Sequence, residues 1–165
     1  MAKSKAKATG AVEILKEQHD KVKKAFKQFE KLDREDAAAQ QQLVQTTCED
    51  LKLHTTLEEE LFYPAAREAI DDEDIMNEAQ VEHETAKMLI EQLENMGADD
   101  PNFHATFTVL GEYVLHHVKE EEGEMFPEVK KTDLDLEELG GRMRQRMQEL
   151  MGEMQEEEKE EKEER

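Results

Sequence analysis

The sequence predicts an all-α protein, an up-and-down four-helix bundle with an additional C-terminal helix, and three observations carry that prediction. Apolar residues recur at three- and four-residue intervals over long segments, as on helix faces turned toward a core. Charged residues make up 39% of the chain and aromatic residues only 5%, with three prolines, a balance that favours helices over a sheet. One helix-pair pattern also occurs twice. His19 precedes His54 by 35 residues and His83 precedes His117 by 34. Each later histidine is followed four residues on by a glutamate, Glu58 or Glu121, and ten residues on by a proline, Pro64 or Pro127. Repeats of this length often signal a solenoid. Two helix pairs that cannot each bury an apolar face alone are better explained as the halves of one bundle.

The elements follow in order. Residues 1–10, with Lys3, Lys5 and Lys7, read as a disordered basic arm. A first helix over 11–31 turns Val12, Leu15, His19, Val22, Phe26 and Phe29 inward. A second starts near Ala37 and buries Leu43, Val44, Thr47, Leu51, His54, Leu57, Glu58 and Leu61. Pro64 lacks an N–H and is expected to kink or end it, with a turn or two continuing to Ile70. The acids of 71–74 suit the N-terminus of a third helix, which carries Ile75, Ala79, His83, Ala86, Leu89, Ile90 and Leu93. Gly97 is the expected C-cap. The fourth helix holds Phe103, Phe107, Leu110, Val114, His117, Glu121 and Met125 and stops near Pro127.

The repeat is over by residue 131, so the bundle is assigned to 11–131 and the remainder, 132–165, to a C-terminal amphipathic helix and charged tail. A short helix over 133–139 should be interrupted at Gly140 and Gly141. Helical spacing then returns with Met143, Met147, Leu150, Met151 and Met154. This methionine stripe is adaptable. It can pack back on its own bundle, or receive a protein partner or a second copy. Arg142, Arg144 and Arg146 oppose the dipole of a helix start and are expected to face the acidic bundle. The last eleven residues are almost all Glu, Lys and Arg and read as a solvated helix end or disorder, with an acidic docking tail as the alternative.

Lys+Arg number 22 and Asp+Glu 43, a formal charge of −21. Such a surface repels nucleic acid and anionic membranes. No run of apolar residues is long enough to span a bilayer, and the first ten residues lack the apolar run of a secretory signal. A cytoplasmic protein is the expectation. The single Cys48 permits no internal disulfide and suits a small buried hydrophobe.

Positions i and i+4 lie one above the other on a helix, so each H-x-x-x-E stretch offers an imidazole and a carboxylate side by side. Two inward glutamates are expensive to bury as anions. A metal ion held jointly with four inward histidines removes that penalty. The order of residues separates two kinds of carboxylate-bridged bundle: ferritin-like sites use Glu-x-x-His, and that motif is absent from this chain.

The set His19, His54/Glu58, His83 and His117/Glu121 resembles, in type, order and spacing, the hemerythrin-like HHE cation-binding domain, over about residues 11 to 131. The resemblance implies an up-and-down four-helix bundle with a non-haem centre of two iron ions, joined by the two carboxylates and an oxo or hydroxo bridge. Such a centre binds dioxygen or reacts with related small oxidants. Glu58 and Glu121 would be the bridges, and His19, His54, His83 and His117 the terminal ligands. Where oxygen-carrying relatives have a further His one turn after the third-helix His, this sequence has Lys87. Each iron would then be left with an open position unless another residue fills one. Tyr113, four residues before His117, is the leading candidate as ligand or hydrogen-bond donor, against a plain core tyrosine. The matching Asp50 is expected to orient His54. His116, shifted by one from the ligand position, reads as a surface residue or one that supports a ligand, and His104 as a surface residue.

Imidazole and carboxylate donors suit iron or manganese, and zinc accepts the same groups; iron follows from the resemblance. Open positions favour chemistry with peroxide, nitric oxide or dioxygen over simple carriage. The alternatives are a metal- or oxygen-responsive regulatory protein signalling through the C-terminal helix, and a small-capacity iron buffer.

Overall fold

The computed structural model describes residues 10–165, so the expected basic arm, but for Gly10, lies outside the described residues. α1 (Ala11–Lys31) and α2 (Ala37–Leu57) form where the apolar spacing places them. Asp36 caps α2 by accepting from the Ala39 N–H at 3.1 Å, and Asp72 caps α4 (Glu73–Glu94) by accepting from Ile75 at 3.2 Å. Each cap satisfies a backbone donor that the helix itself cannot.

Neither proline is itself the helix end: helix continues past Pro64 to Ala69, as the expected turn or two, and past Pro127 only to Lys130. α2 passes into a five-residue π turn, Glu58–Phe62, and then into α3 (Tyr63–Ala69). α5 (Phe103–Glu120) likewise passes into a π turn, Glu121–Met125, and then into α6 (Phe126–Lys130). A proline inside an α-helix would clash with the carbonyl four residues back. Here the helix widens one turn earlier, so that Tyr63 N–H bonds to Glu58 O and Phe126 N–H to Glu121 O, five residues back. Single π turns of this kind concentrate at functional sites. Gly97 is not the expected left-handed cap either: α4 closes at Asn95, whose side chain donates to Glu91 O at 2.9 Å, and no described glycine has a positive φ.

Packing of α1 on α2 and α5, and of α4 on α2 and α5, makes the up-and-down four-helix bundle. Its apolar core falls into two clusters. Leu15, Leu57, Phe62, Met76, Met125 and Phe126 belong to one; Val22, Phe26, Phe29, Leu51, Ile90, Phe107 and Leu110 belong to the other. Gly111 permits the close approach of α1 to α5, since a Cβ there would lie 2.9 Å from the Phe26 ring. Cys48 is buried in the second cluster, and burial pushes its thiol up to about 12, in keeping with an inert hydrophobe.

α7 (Leu136–Glu163) packs along α1, α2 and the first π turn. It runs unbroken through Gly140 and Gly141, contrary to the expected interruption. Each glycine weakens a helix by about 1 kcal/mol relative to alanine. Leu139 and Met143 flank the pair and are fully buried in the first cluster, and burial of such a side chain stabilises by about 1.5–3 kcal/mol. Tertiary burial therefore wins. Met147 and Leu150 join the same cluster, so the stripe packs back on its own bundle, with only Met151 strongly exposed. Arg146 meets Glu60 through two hydrogen bonds of 2.7 and 3.2 Å, as expected for an arginine facing the bundle. The acidic tail continues the helix to Glu163 in solvent. No helix among the described residues is long and apolar enough to cross a membrane.

Candidate metal centre

Between the two apolar clusters lies a band of buried polar residues. His19, His54, Glu58, His83, His117 and Glu121 are each at most 8% exposed. α1 and α4 each bring one histidine, while α2 and α5 each bring a histidine one turn before the π turn that opens at the glutamate. The ligand-type atoms form two groups, each within 4.8 Å: Glu58, His83, His117 and Glu121 in one, His19, His54 and Glu121 in the other. Glu121 belongs to both, its Oε1 against His117 Nε2 and its Oε2 3.8 Å from His19 Nε2. Glu58 Oε1 lies 2.8 Å from His54 Nε2 and 3.2 Å from His83 Nε2, so it too reaches across.

Tyr63, which the sequence reading passed over, completes the first group. Its hydroxyl donates to Glu121 Oε1 at 2.8 Å and lies 3.0 Å from His83 Nε2 and 3.1 Å from His117 Nε2. Tyr113, the expected candidate, is 46% exposed and lines the small cavity beside the histidines. The reason for its exposure is helical phase: the inward stripe runs through Leu110, Val114 and His117, and Tyr113 sits at its edge, about 100° from Val114 and about 40° from His117. Five residues after Glu58, Tyr63 would be about 140° off the glutamate's face in a regular α-helix, and the π turn rotates it back. The available signal was the Tyr-Pro step following H-x-x-x-E.

The outer imidazole nitrogens follow a cross-helix rule. Gln18, one residue before His19, takes His54 Nδ1–H on Oε1 at 2.6 Å; Glu82, one residue before His83, lies 3.4 Å from His117 Nδ1. Glu122, one residue after Glu121, lies 3.7 Å from His19 Nδ1, and Glu59, one after Glu58, lies 4.0 Å from His83 Nδ1. The hydrogen bond from Gln18 fixes the His54 tautomer and leaves its Nε2 as the inward lone pair, while the other three imidazoles have a carboxylate beside the outer nitrogen. The orienter of His54 is therefore Gln18. Asp50, expected in that role, pairs with Lys21 at 3.3 Å on the surface.

The buried carboxylates draw positive charge: burial opposes it, but Glu58 and Glu121 outweigh burial and raise the His54 and His117 imidazoles above their ordinary values. Burial, then repulsion from Glu58, pushes the Glu121 carboxyl up to about 7. Burial also opposes the Glu58 anion, but His54 outweighs it and holds Glu58 well below the usual carboxylate range. Burial and the neighbouring His54 lower His19 to about 3, so its imidazole is a neutral donor. Burial, then Glu121 and Glu58, raise the Tyr63 phenol far above its ordinary value. Both oxygens of Glu58, Glu121 Oε2 and both nitrogens of His19 are fully buried without an aligned hydrogen bond. Orphaned buried polar atoms are rare and call for a partner. Two ligands at right angles, each about 2.1 Å from one metal, stand about 3.0 Å apart. The 2.8–3.2 Å edges joining Tyr63, His83, His117, Glu121, His54 and Glu58 have that spacing, so the donor set fits metal ions.

Fold and site together define a helical bundle with a buried His/Glu cluster of metal-site geometry. The sequence profile of the hemerythrin HHE cation-binding domain matches residues 10–129, and the chain belongs to this family. Among solved structures, a hemerythrin HHE cation-binding domain-containing protein from Mycobacterium kansasii is similar at 27% identity and a TM-score of 0.73, covering 88% of this chain and 90% of that one. Comparison with curated proteins gave no match.

Proposed function

We propose that residues 11–131 hold two iron ions in a carboxylate-bridged centre and bind, sense or react there with a small oxidant: dioxygen, peroxide or nitric oxide. His83, His117 and Tyr63 would hold one ion and His19 and His54 the other, with Glu58 and Glu121 shared. The observation that carries this reading is the membership of Glu121 in both ligand groups, with Glu58 reaching both as well. Iron in place of zinc or manganese rests on the family likeness. An iron pair supplies reversible electron transfer to a small oxidant.

The chain's own residues then have definable tasks. Gln18 holds the His54 imidazole by a hydrogen bond, and Glu82, Glu59 and Glu122 set a carboxylate beside the outer nitrogens of His117, His83 and His19. Beside the histidines is a cavity of about 30 Å³ lined by apolar Val22, Ile90 and Val114 and also by Thr55, Glu82 and Tyr113. That is enough for about one or two water-sized molecules, a size that suits a diatomic molecule or peroxide. Tyr63 O–H, hydrogen-bonded to Glu121, can move a proton at the first ligand group. The lone, buried Cys48 suits a reducing, cytoplasmic setting.

The test is to reduce the iron-loaded protein and mix it anaerobically with nitric oxide, then separately with peroxide or dioxygen. New absorption or paramagnetic signals within seconds of mixing support the reading. A spectrum unmoved by all three overturns it.

A second reading, a sensor acting through α7, has its own observation. Gln18 holds His54 with its carbonyl and donates its amide to Met147 Sδ on α7 at 3.4 Å, and Arg146 grips Glu60 in the π turn. If this reading holds, hydrogen exchange of 140–154 changes between ferrous and oxidised protein. Equal exchange leaves the chemistry at the centre and removes the signalling role.

A further inference from the structure

The three residues that immediately precede His83, His117 and Glu121 are Glu82, His116 and Glu120. They form a cluster of their own, with ligand-type atoms all within 4.8 Å of one another. His116 Nε2 lies 3.0 Å from Glu120 Oε1, repeating the H-x-x-x-E spacing one residue out of phase on α5, and Glu82 joins from α4. The corresponding residues of the first repeat are Gln18, Leu53 and Leu57, which make no such set. The bundle therefore does not require these side chains.

An i,i+4 histidine–glutamate pair on a surface would be unremarkable alone. Two further facts point to a ligand. Glu82 and Glu120 bring two carboxylates together beside an imidazole, an arrangement that a cation relieves. His117, over nine-tenths buried, also aims an Nδ1 with no aligned hydrogen bond at Glu82, whose Oε2, 3.4 Å away, is likewise buried without one. The cluster thus runs from solvent, where the His116 side chain is 64% exposed, inward to the outer edge of the buried centre.

We propose that Glu82, His116 and Glu120 form a third divalent-cation site, at which a first-row ion such as Fe²⁺ or Mn²⁺ lands before moving to the buried cluster. One imidazole and two carboxylates, with water in the remaining positions, suit such ions. The surface charge of −21 raises their local concentration. Glu82 contributes the connection, since one carboxylate can face His117 with one oxygen and the outer ion with the other. The landing role rests on the buried cluster being a metal centre; the outer site itself does not.

The experiment compares full-length wild type with His116→Gln/Glu120→Gln, whose altered side chains lie outside the buried cluster. After the ions already held are counted, each protein is titrated with Mn²⁺ while the signal of free Mn²⁺ is followed by paramagnetic resonance. Wild type should take up one further Mn²⁺ per chain, and the variant should bind it at least tenfold more weakly. Identical titrations overturn the site and assign any uptake to the diffuse acidic surface. Ferrous ion added to metal-free protein should load the variant several-fold more slowly to the same final content; equal rates overturn the landing role. If the buried cluster held no ions at all, the difference between the two Mn²⁺ titrations would still report on the outer site, so the two failures are distinct.

Discussion

Tyr63 and Phe126 occupy the same register of the two repeats, five residues after Glu58 and Glu121, yet they do opposite things. The Tyr63 hydroxyl reaches Glu121 across the bundle at 2.8 Å, whereas the Phe126 ring stacks on His19 with centroids 5.8 Å apart and planes within 5°. One ligand group gains an oxygen donor and the other an apolar wall. The near-symmetric repeat thereby builds two unequal halves.

Replacing Tyr63 by Phe removes that donor and little volume. The metal-free protein should lose about 1–3 kcal/mol in chemical denaturation, because Glu121 Oε1 loses its aligned hydrogen bond. In a stepwise metal titration one ion should bind about tenfold more weakly, by the loss of about 1.4 kcal/mol of interaction, while the other is unchanged. Equal weakening of both would contradict the asymmetry.

Metal affinity should depend on pH in a stated direction. Glu121 in the metal-free fold holds its proton up to about 7. An incoming ion must displace it below that pH, so apparent affinity falls as pH drops from 7, up to tenfold per unit from this group. His19 acts on the fold itself. Its folded value, about 3, lies below the unfolded one of about 6.5, so its contribution to the stability of the metal-free protein is fully present above pH 6.5 and is lost as pH falls below it. Metal titrations at pH 5.5, 6.5 and 7.5, with thermal melts of the metal-free protein over the same range, check both signs.

The hold of α7 on the bundle should come from burial more than from charge. Met143 is fully buried in the cluster that contains Phe62 and Phe126. Met143→Ala should cost about 2–4 kcal/mol in denaturation. Arg146→Ala removes an exposed pair with Glu60 and should shift the midpoint far less. A larger effect at Arg146 would mean that the ion pairs of α7 form a network.

Much of this was legible in the sequence because it is local. The spacing of His54 to Glu58 and of His117 to Glu121 puts each pair on one helix face whatever the rest of the chain does, and the repeat places His19 and His83 opposite them. The apolar stripes gave the helices and the bundle for the same reason. What escaped notice depends on longer geometry. Pro64 and Pro127 marked a kink or a nearby helix end; the π turns that accommodate them are what carry Tyr63 into the centre. Gln18 in place of Asp50 as the partner of His54 is a contact between helices, invisible to spacing along either one. Gly140 and Gly141 read as a break because their propensity was visible and the burial of Leu139 and Met143 was not.

In the proposed centre, Glu58 and Glu121 join two metal ions. The direct measurement is iron per chain, for wild type and for Glu121→Ala and His19→Ala, after loading with ferrous ion and removal of excess. Two irons in wild type, near none in Glu121→Ala and about one in His19→Ala are the result expected of shared carboxylates and unshared histidines. One iron or none in wild type, or loss of a single ion from Glu121→Ala, would contradict the bridged centre.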